Sequence, residues 1–346
     1  MVEQGVIRSL TYLMSLCLMS LTGLTGCYVS HLAWHQGKLL TSRRPVTEAI
    51  ADPTTPDPVK VRLADLPAMI EFAKSCGLDP GNSYQRYIDN GDRPLSWLVY
   101  AAKPEKLEAK TWWFPFTGSV PYLGFFSKSK RDEEEAKLKA QGFDTAKGAA
   151  TAFSMLGIIA DPVYRSMTRR SRAEFAHVIF HELVHRTVWI KGSVDFNERL
   201  AEVFARRVTL AWLDAVGVDQ ASRQEFLVDM EDRRKFGVWL AALRGELQAL
   251  YRLPLSFEEI LRRKAEIFAD FTTNLQRRPK FAGSEFIVGR TWNNAEVLAS
   301  GLYDGDDFPC PPEPANPARA KAFMAWLVQN KNAEIATTET LYKVCL

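Results

Sequence analysis

The stretch from Ser171 to Glu202, SRAEFAHVIFHELVHRTVWIKGSVDFNERLAE, constrains this chain more than any other. Ser171 and Glu174 make a capping box in front of an apolar run, which writes a helix start, and Gly192 marks the exit from that helix. Within it His181 and His185 stand at i, i+4. Both imidazoles therefore lie on one face, a turn apart, where they can converge on a single zinc ion at about 2.0–2.1 Å. Glu182 projects beside them toward a water on such an ion, completing the HExxH pattern. Val178, Ile179, Phe180, Leu183 and Val184 are apolar, as expected of a helix buried beneath a site. His177 shares the stripe. Buried imidazoles need partners, and a further imidazole would overfill the ion, so His177 reads as a packed or hydrogen-bonded histidine.

A catalytic zinc usually keeps three protein donors and one exchangeable water. Glu198 is the expected third donor. It stands early on a second helix, after a connection through Gly192 short enough to fold that helix back over the first. Glu198 and Glu202 share a face at i, i+4, with small Ala201 and Ala205 beside them. Glu198 is assigned to the metal, and Glu202 to the free N–H of a ligating histidine, whose tautomer it would fix. Two plainer readings stay open. Asp195 with Glu198 is itself a capping-box pattern, and Glu202 can pair with Arg199 or Arg206.

The 346 residues carry a net charge of +3, are 47% hydrophobic and hold 18 Pro and 20 Gly. This composition excludes collagen, bulk disorder and a multi-pass membrane protein, and the charge balance gives no footprint for nucleic acid. The start is distinctive. A 17-residue, largely apolar run, Leu10 to Gly26, follows Arg8 and ends at Leu24-Thr25-Gly26-Cys27. It resembles a bacterial lipoprotein signal with its lipobox. The resemblance implies a signal peptide over 1–26, lipidation of Cys27, and a membrane anchor on the cell envelope, at the outer membrane facing the periplasm. The alternative, an uncleaved signal anchor, is short for about 30 Å of hydrocarbon. Cys76, Cys310 and Cys345 then remain. A Cys310–Cys345 bridge suits an oxidising periplasm, and three free thiols are the other possibility.

Residues 27–60 read as a tether ending in the Pro-rich ADPTTPDPVK, and 61–346 as a single domain. Leu66 to Cys76 reads as a helix stopped at Gly77. SWLVYAA (96–102), TWWFPF (111–116) and SVPYLGFF (119–126) read as short strands with a hairpin near Thr117-Gly118. Lys128 to Gln141 reads as a charged helix, and AATAFSMLG (149–157) as another strand. Helices are expected at 172–189, 196–216, 221–252, 257–276 and 317–330. The fold class is therefore α+β: a small N-terminal mixed or antiparallel sheet, then a mainly helical, zincin-like body. The aromatic cluster Trp112, Trp113, Phe114, Phe116, Tyr122, Phe125 and Phe126 is a sheet core, part of which can wall a cleft. Asn293 and Asn294 read as an N-cap pair.

HELVH followed by FNE resembles the gluzincin arrangement, in which HExxH on one helix is completed by a Glu on the next, as in thermolysin and the alanyl-aminopeptidases. More closely, the chain is similar to a bacterial family of predicted zinc aminopeptidase lipoproteins. The similarity covers the lipobox, WLVYAA, TWWFPFTGSVPYLGFF, AFSMLGIIADP, FHELVHRTVWIKGSVDFNERLA and WNNAEVL. It implies a zinc-dependent peptidase with His181, His185 and Glu198 as ligands, Glu182 as acid/base, and a peptide substrate. Tyr303 is best placed by this resemblance to steady an oxyanion, with Tyr164 and Tyr251 as rivals. Thr151 to Gly157 is either an ordinary strand or an edge that pairs with an extended peptide. Two departures are visible: 12 residues separate His185 from Glu198, fewer than in well-studied gluzincins, and the Gly-x-Met-Glu-Asn strand of the alanyl-aminopeptidases is missing. The competing reading is a non-catalytic envelope lipoprotein whose histidines hold a structural zinc and whose body binds a partner.

Overall fold

The computed structural model describes residues 42–91, 93–114, 118–150, 160–277, 289–301, 313–337, 339–340 and 343. The segment 1–26, Cys27, Thr151–Gly157, Tyr303, Cys310 and Cys345 lie outside them. Chain order runs from β1 (Arg44–Pro45), α1 (Val46–Ala51), α2 (Asp57–Ser75), β2 (Arg86–Ile88), β3 (Ser96–Ala102), β4 (Trp112–Phe114), β5 (Gly118–Val120) and β6 (Tyr122–Phe125) to α3 (Lys128–Ala140), β7 (Asp144–Ala150) and β8 (Val163–Tyr164). A 3-10 turn, Arg165–Arg169, then leads into α4 (Arg172–Thr187), α5 (Val194–Ala215), α6 (Gln220–Tyr251), α7 (Phe257–Gln276), α8 (Asn294–Gly301) and α9 (Pro317–Gln329). The fold is α+β with a mainly helical body, the described strands all lying before α4 and interspersed with α1, α2 and α3. No helix among the described residues is long and apolar enough to cross a membrane.

Two features differ from the sequence reading. The folded unit begins at Arg44 rather than near residue 61. Arg44 pairs with Asp52 and donates to Thr55 Oγ1 at 2.9 Å, and Val46 N–H donates to Gln85 O at 3.0 Å. The Pro-rich stretch does not end regular structure: Pro58 sits in the first turn of α2, where a missing N–H costs nothing. In addition, the strands among the described residues form three small sheets instead of one. These are β1-β2-β8, which is mixed, β6-β3-β7, which is antiparallel, and the β4-β5 hairpin.

The β6-β3-β7 sheet shows why a run such as SWLVYAA belongs at its centre. Alternate residues face opposite ways: Leu98, Tyr100 and Ala102 pack with Ala295 and Leu298 of α8, while Val99 and Ala101 pack with Leu138 of α3. Helices thus cover both faces, and the strand carries hydrophobic residues from Trp97 to Ala102. Trp113 departs from the expected aromatic core and is 70% exposed. Farther along, Leu240, Leu243 and Leu247 of α6 meet Phe268 and Leu275 of α7 around Trp292, the spacing of one helical face.

At the end of α2, Gly77 has φ +86°, and Leu78 N–H returns to Ala73 O at 3.0 Å, a left-handed helix stop. A Cβ there would lie 2.8 Å from Lys321 Cα on α9. Gly77→Ala is therefore expected to lower unfolding stability by ~2–3 kcal/mol through backbone strain and lost α9 docking, measurable by urea denaturation. Cys76 beside it is buried and free, and burial pushes its thiol up to about 11.

Candidate metal centre

The start of α4 is built as its sequence dictates: Glu174 N–H donates to Ser171 Oγ, and Ser171 N–H to Glu174 Oε2, each at 3.2 Å. Phe175, Ile179, Phe180, Leu183 and Val184 are fully buried beneath the site. The return to α5 passes Gly192, whose φ of +81° few other residues tolerate. Asn197, almost wholly buried, fixes this connection: Ile190 N–H donates to its Oδ1 at 2.9 Å, and its Nδ2 donates to Ile190 O at 2.8 Å. The neighbouring Glu198 is thereby carried onto α4. Asp195 lies inside α5, whose N-cap is Ser193 with no side-chain capping bond. The capping-box reading of Asp195 and Glu198 accordingly does not hold.

His181 Nε2 and His185 Nε2 are 3.1 Å apart. Glu198 Oε2 lies 3.4 Å from the first and Oε1 3.5 Å from the second. A tetrahedral ion with bonds of about 2.0–2.1 Å has ligand-to-ligand edges of about 3.3–3.4 Å. The three side chains therefore fit the corners around one cation, and as a donor set they can hold a metal ion. Two imidazoles and one carboxylate leave a fourth corner for solvent. Glu182 belongs to no such group among the described residues.

The electrostatics demand positive charge here. Burial opposes a charge on His181, yet hydrogen bonding to Glu198 and Glu202 and the charge of Glu182 outweigh it and hold its imidazolium up to about 10. Burial likewise pushes Glu198 up, and hydrogen bonds from His181 and His185 reverse this, bringing the carboxyl down to about 2. Glu182 behaves oppositely. Burial raises its carboxyl, the two histidines only partly offset this, and Glu198 and Asp161 raise it further. Two acids on one site are thus pushed in opposite directions.

The structure brings together His181, His185, Glu198 and, electrostatically, Glu182. Glu202 Oε2 lies 3.7 Å from His181 Nδ1 and 3.0 Å from His177 Nε2, so its main partner is the histidine expected to be packed or hydrogen-bonded rather than a ligating one. Tyr251 is engaged elsewhere, donating to Asn294 Oδ1 at 2.7 Å. Tyr164 is buried, with Asp161 as its charged neighbour. Sequence reasoning placed Tyr122 only within the aromatic cluster; it stands half-buried on β6 opposite Tyr100. Burial raises its phenol, and the charges of Glu198 and Glu182 raise it further. Sequence reasoning did not find Tyr84, buried with φ +64°, whose phenol is raised by burial and then by Glu182. Non-glycine backbone of this kind is strained and clusters at functional sites.

A family model described as "Putative aminopeptidase" matches residues 27–309. No curated protein and no solved structure matches the chain.

Proposed function

The chain belongs to this aminopeptidase family, and on that premise we propose that it is a zinc-dependent peptidase acting on peptide amino ends, with Glu182 as general base. The observation that carries the reading is the convergence of His181, His185 and Glu198, the two Nε2 atoms 3.1 Å apart and each within 3.4–3.5 Å of one Glu198 carboxylate oxygen, beside a buried glutamate outside the set. Zinc, which His181, His185 and Glu198 would hold, would supply Lewis acidity toward the scissile carbonyl and a lowered pKa for the attacking water. Glu182, its carboxyl raised above the ordinary range by burial, accepts a proton from the attacking water and delivers it to the leaving amine. Tyr122, whose phenol feels the charges of Glu198 and Glu182, is the candidate to donate a hydrogen bond to the developing oxyanion. The lipobox at Leu24–Cys27 supports lipidation of Cys27 and a place on the envelope facing the periplasm, where the substrates are peptides.

Elemental analysis is expected to find about one zinc per chain. Removing it with a chelator should abolish cleavage of a peptide library, and adding zinc back should restore it. Mass spectrometry should show single residues released from free amino ends and none from acetylated peptides. Internal cuts would keep the peptidase and remove the aminopeptidase. Inert protein whose metal is coordinatively saturated would leave a structural zinc in an envelope binding module.

A further inference from the structure

Resting on the zinc reading above, we propose that His177 is a positioning residue for the metal: its Nε2–H holds the Glu202 carboxylate, and Glu202 in turn keeps His181 turned with Nε2 toward the ion. His177 lies one turn before His181 on α4 and belongs to no part of the His181–His185–Glu198 triangle. Its Nε2 is 3.0 Å from Glu202 Oε2, and that same oxygen is 3.7 Å from His181 Nδ1. One carboxylate oxygen on α5 thus faces nitrogens from two successive turns of α4.

The proton on His177 can be placed. Its Nδ1 is buried with no hydrogen-bond partner among the described residues. A buried N–H without an acceptor is the costlier alternative, so the proton sits on Nε2 and points at Glu202. The ring is held between Phe226 and His181, with centroids 5.9 and 6.2 Å away. A carboxylate that accepts a ligating imidazole's N–H fixes its tautomer and ring orientation. Glu202 can do this only while its own rotamer is held, and His177 supplies the holding contact.

His177, His181 and Glu202 also bring three donor atoms within 4.8 Å of one another, which raises a second ion as an alternative occupant. That ion would need His181 to ligate through both nitrogens, whereas a neutral imidazole offers one lone pair. Hydrogen bonding is the arrangement that leaves His181 available to the first ion.

The test uses the full chain, with zinc affinity measured by competition against a chromophoric chelator and stoichiometry by elemental analysis. His177→Asn, whose amide is too short to reach Oε2, is expected to weaken zinc binding by about tenfold to a hundredfold. His177→Gln, whose amide N–H replaces Nε2–H, should stay within about threefold of the parent, a rescue that mere packing would not give. Combined with Glu202→Ala, His177→Asn should add no further loss, because His177 acts only through Glu202. If the Asn variant fails to fold, His177→Met, which keeps bulk without a donor, carries the same expectation. Parental affinity in the Asn or Met variant, or additive losses, would overturn the proposal while leaving the zinc reading intact. Two zinc ions in the parent falling to one without His177 would make His177 a ligand instead. A parent chain that binds no zinc would sink the zinc reading and this inference together.

Discussion

A Glu182→Gln chain will hold zinc at the parental stoichiometry and lose about 10²–10⁴-fold in kcat against any peptide the parent cleaves. Gln keeps the volume and planarity of Glu, so α4, capped by Ser171 and Glu174, has no reason to move. What disappears is the proton acceptor beside the His181–His185–Glu198 triangle. Because Glu182 is outside that donor set, metal binding should change only through the loss of one nearby negative charge. The parent's pH dependence tests the same assignment. Burial raises the Glu182 carboxyl above its ordinary range, and a protonated carboxyl cannot accept a proton. kcat/KM should therefore fall as pH drops through that raised value, with an acid limb above about 4.3, the unperturbed Glu pKa. Steady-state kinetics of both chains, alongside elemental analysis, decide the matter. Retention of a tenth or more of parental kcat by zinc-loaded Glu182→Gln would remove Glu182 from the chemistry.

Much of this site was legible because its determinants are local. A capping box, an i, i+4 pair of histidines and a glycine exit need only helix periodicity, and α4 ends within two residues of its expected limit. Glu198 and Glu202 could be placed on one face of α5 by the same rule. What escaped depends on packing between elements. Glu202 turns mainly to His177, and nothing in either helix alone sets the rotation at which α4 and α5 meet. Tyr122 reaches the site's electrostatic field through the register of β6 against β3, where it stands opposite Tyr100. The strand β7, DTAKGAA, carries little β-branched signal of its own, and it is a strand because it pairs with β3 along seven residues, Ser96–Ala102. Asn197 looked like part of a ligand motif, but its side chain is spent on Ile190.

Asn294 carries the largest expected loss of stability. Read as a plain helix cap, it is instead fully buried, and the cap of α8 is Asn293, whose Oδ1 accepts Glu296 N–H at 3.0 Å. Its Nδ2 donates to the carbonyls of Lys103, Pro104 and Lys106 at 2.8, 3.2 and 3.0 Å, and its Oδ1 accepts from Tyr251. Its backbone N–H donates to Asp144 Oδ2 at 2.9 Å, an oxygen that also lies 2.8 Å from Lys264 Nζ. One side chain thus ties α6 and α8 to the loop after β3, and Asp144 extends the network to β7 and α7. Asn294→Ala would remove the partner of Lys103 O and the acceptor of the Tyr251 hydroxyl, while Pro104 O keeps Lys264 Nζ and Lys106 O keeps the Glu108 N–H, each at 2.9 Å. At about 1–3 kcal/mol for each buried group left unsatisfied, and allowing for non-additivity, ~2–4 kcal/mol should be lost. Tyr251→Phe removes one of these bonds and should cost ~1–2 kcal/mol, and the double variant should fall short of the sum because the two share a contact. The same clamp braces the β6-β3-β7 sheet that presents Tyr122, so a weakened clamp should reduce kcat before it reduces zinc content. Urea unfolding of the three variants, with zinc content and kcat measured on the folded protein, checks both halves. A loss below about 1 kcal/mol for Asn294→Ala would mean that water satisfies those groups and that the clamp does not govern the fold.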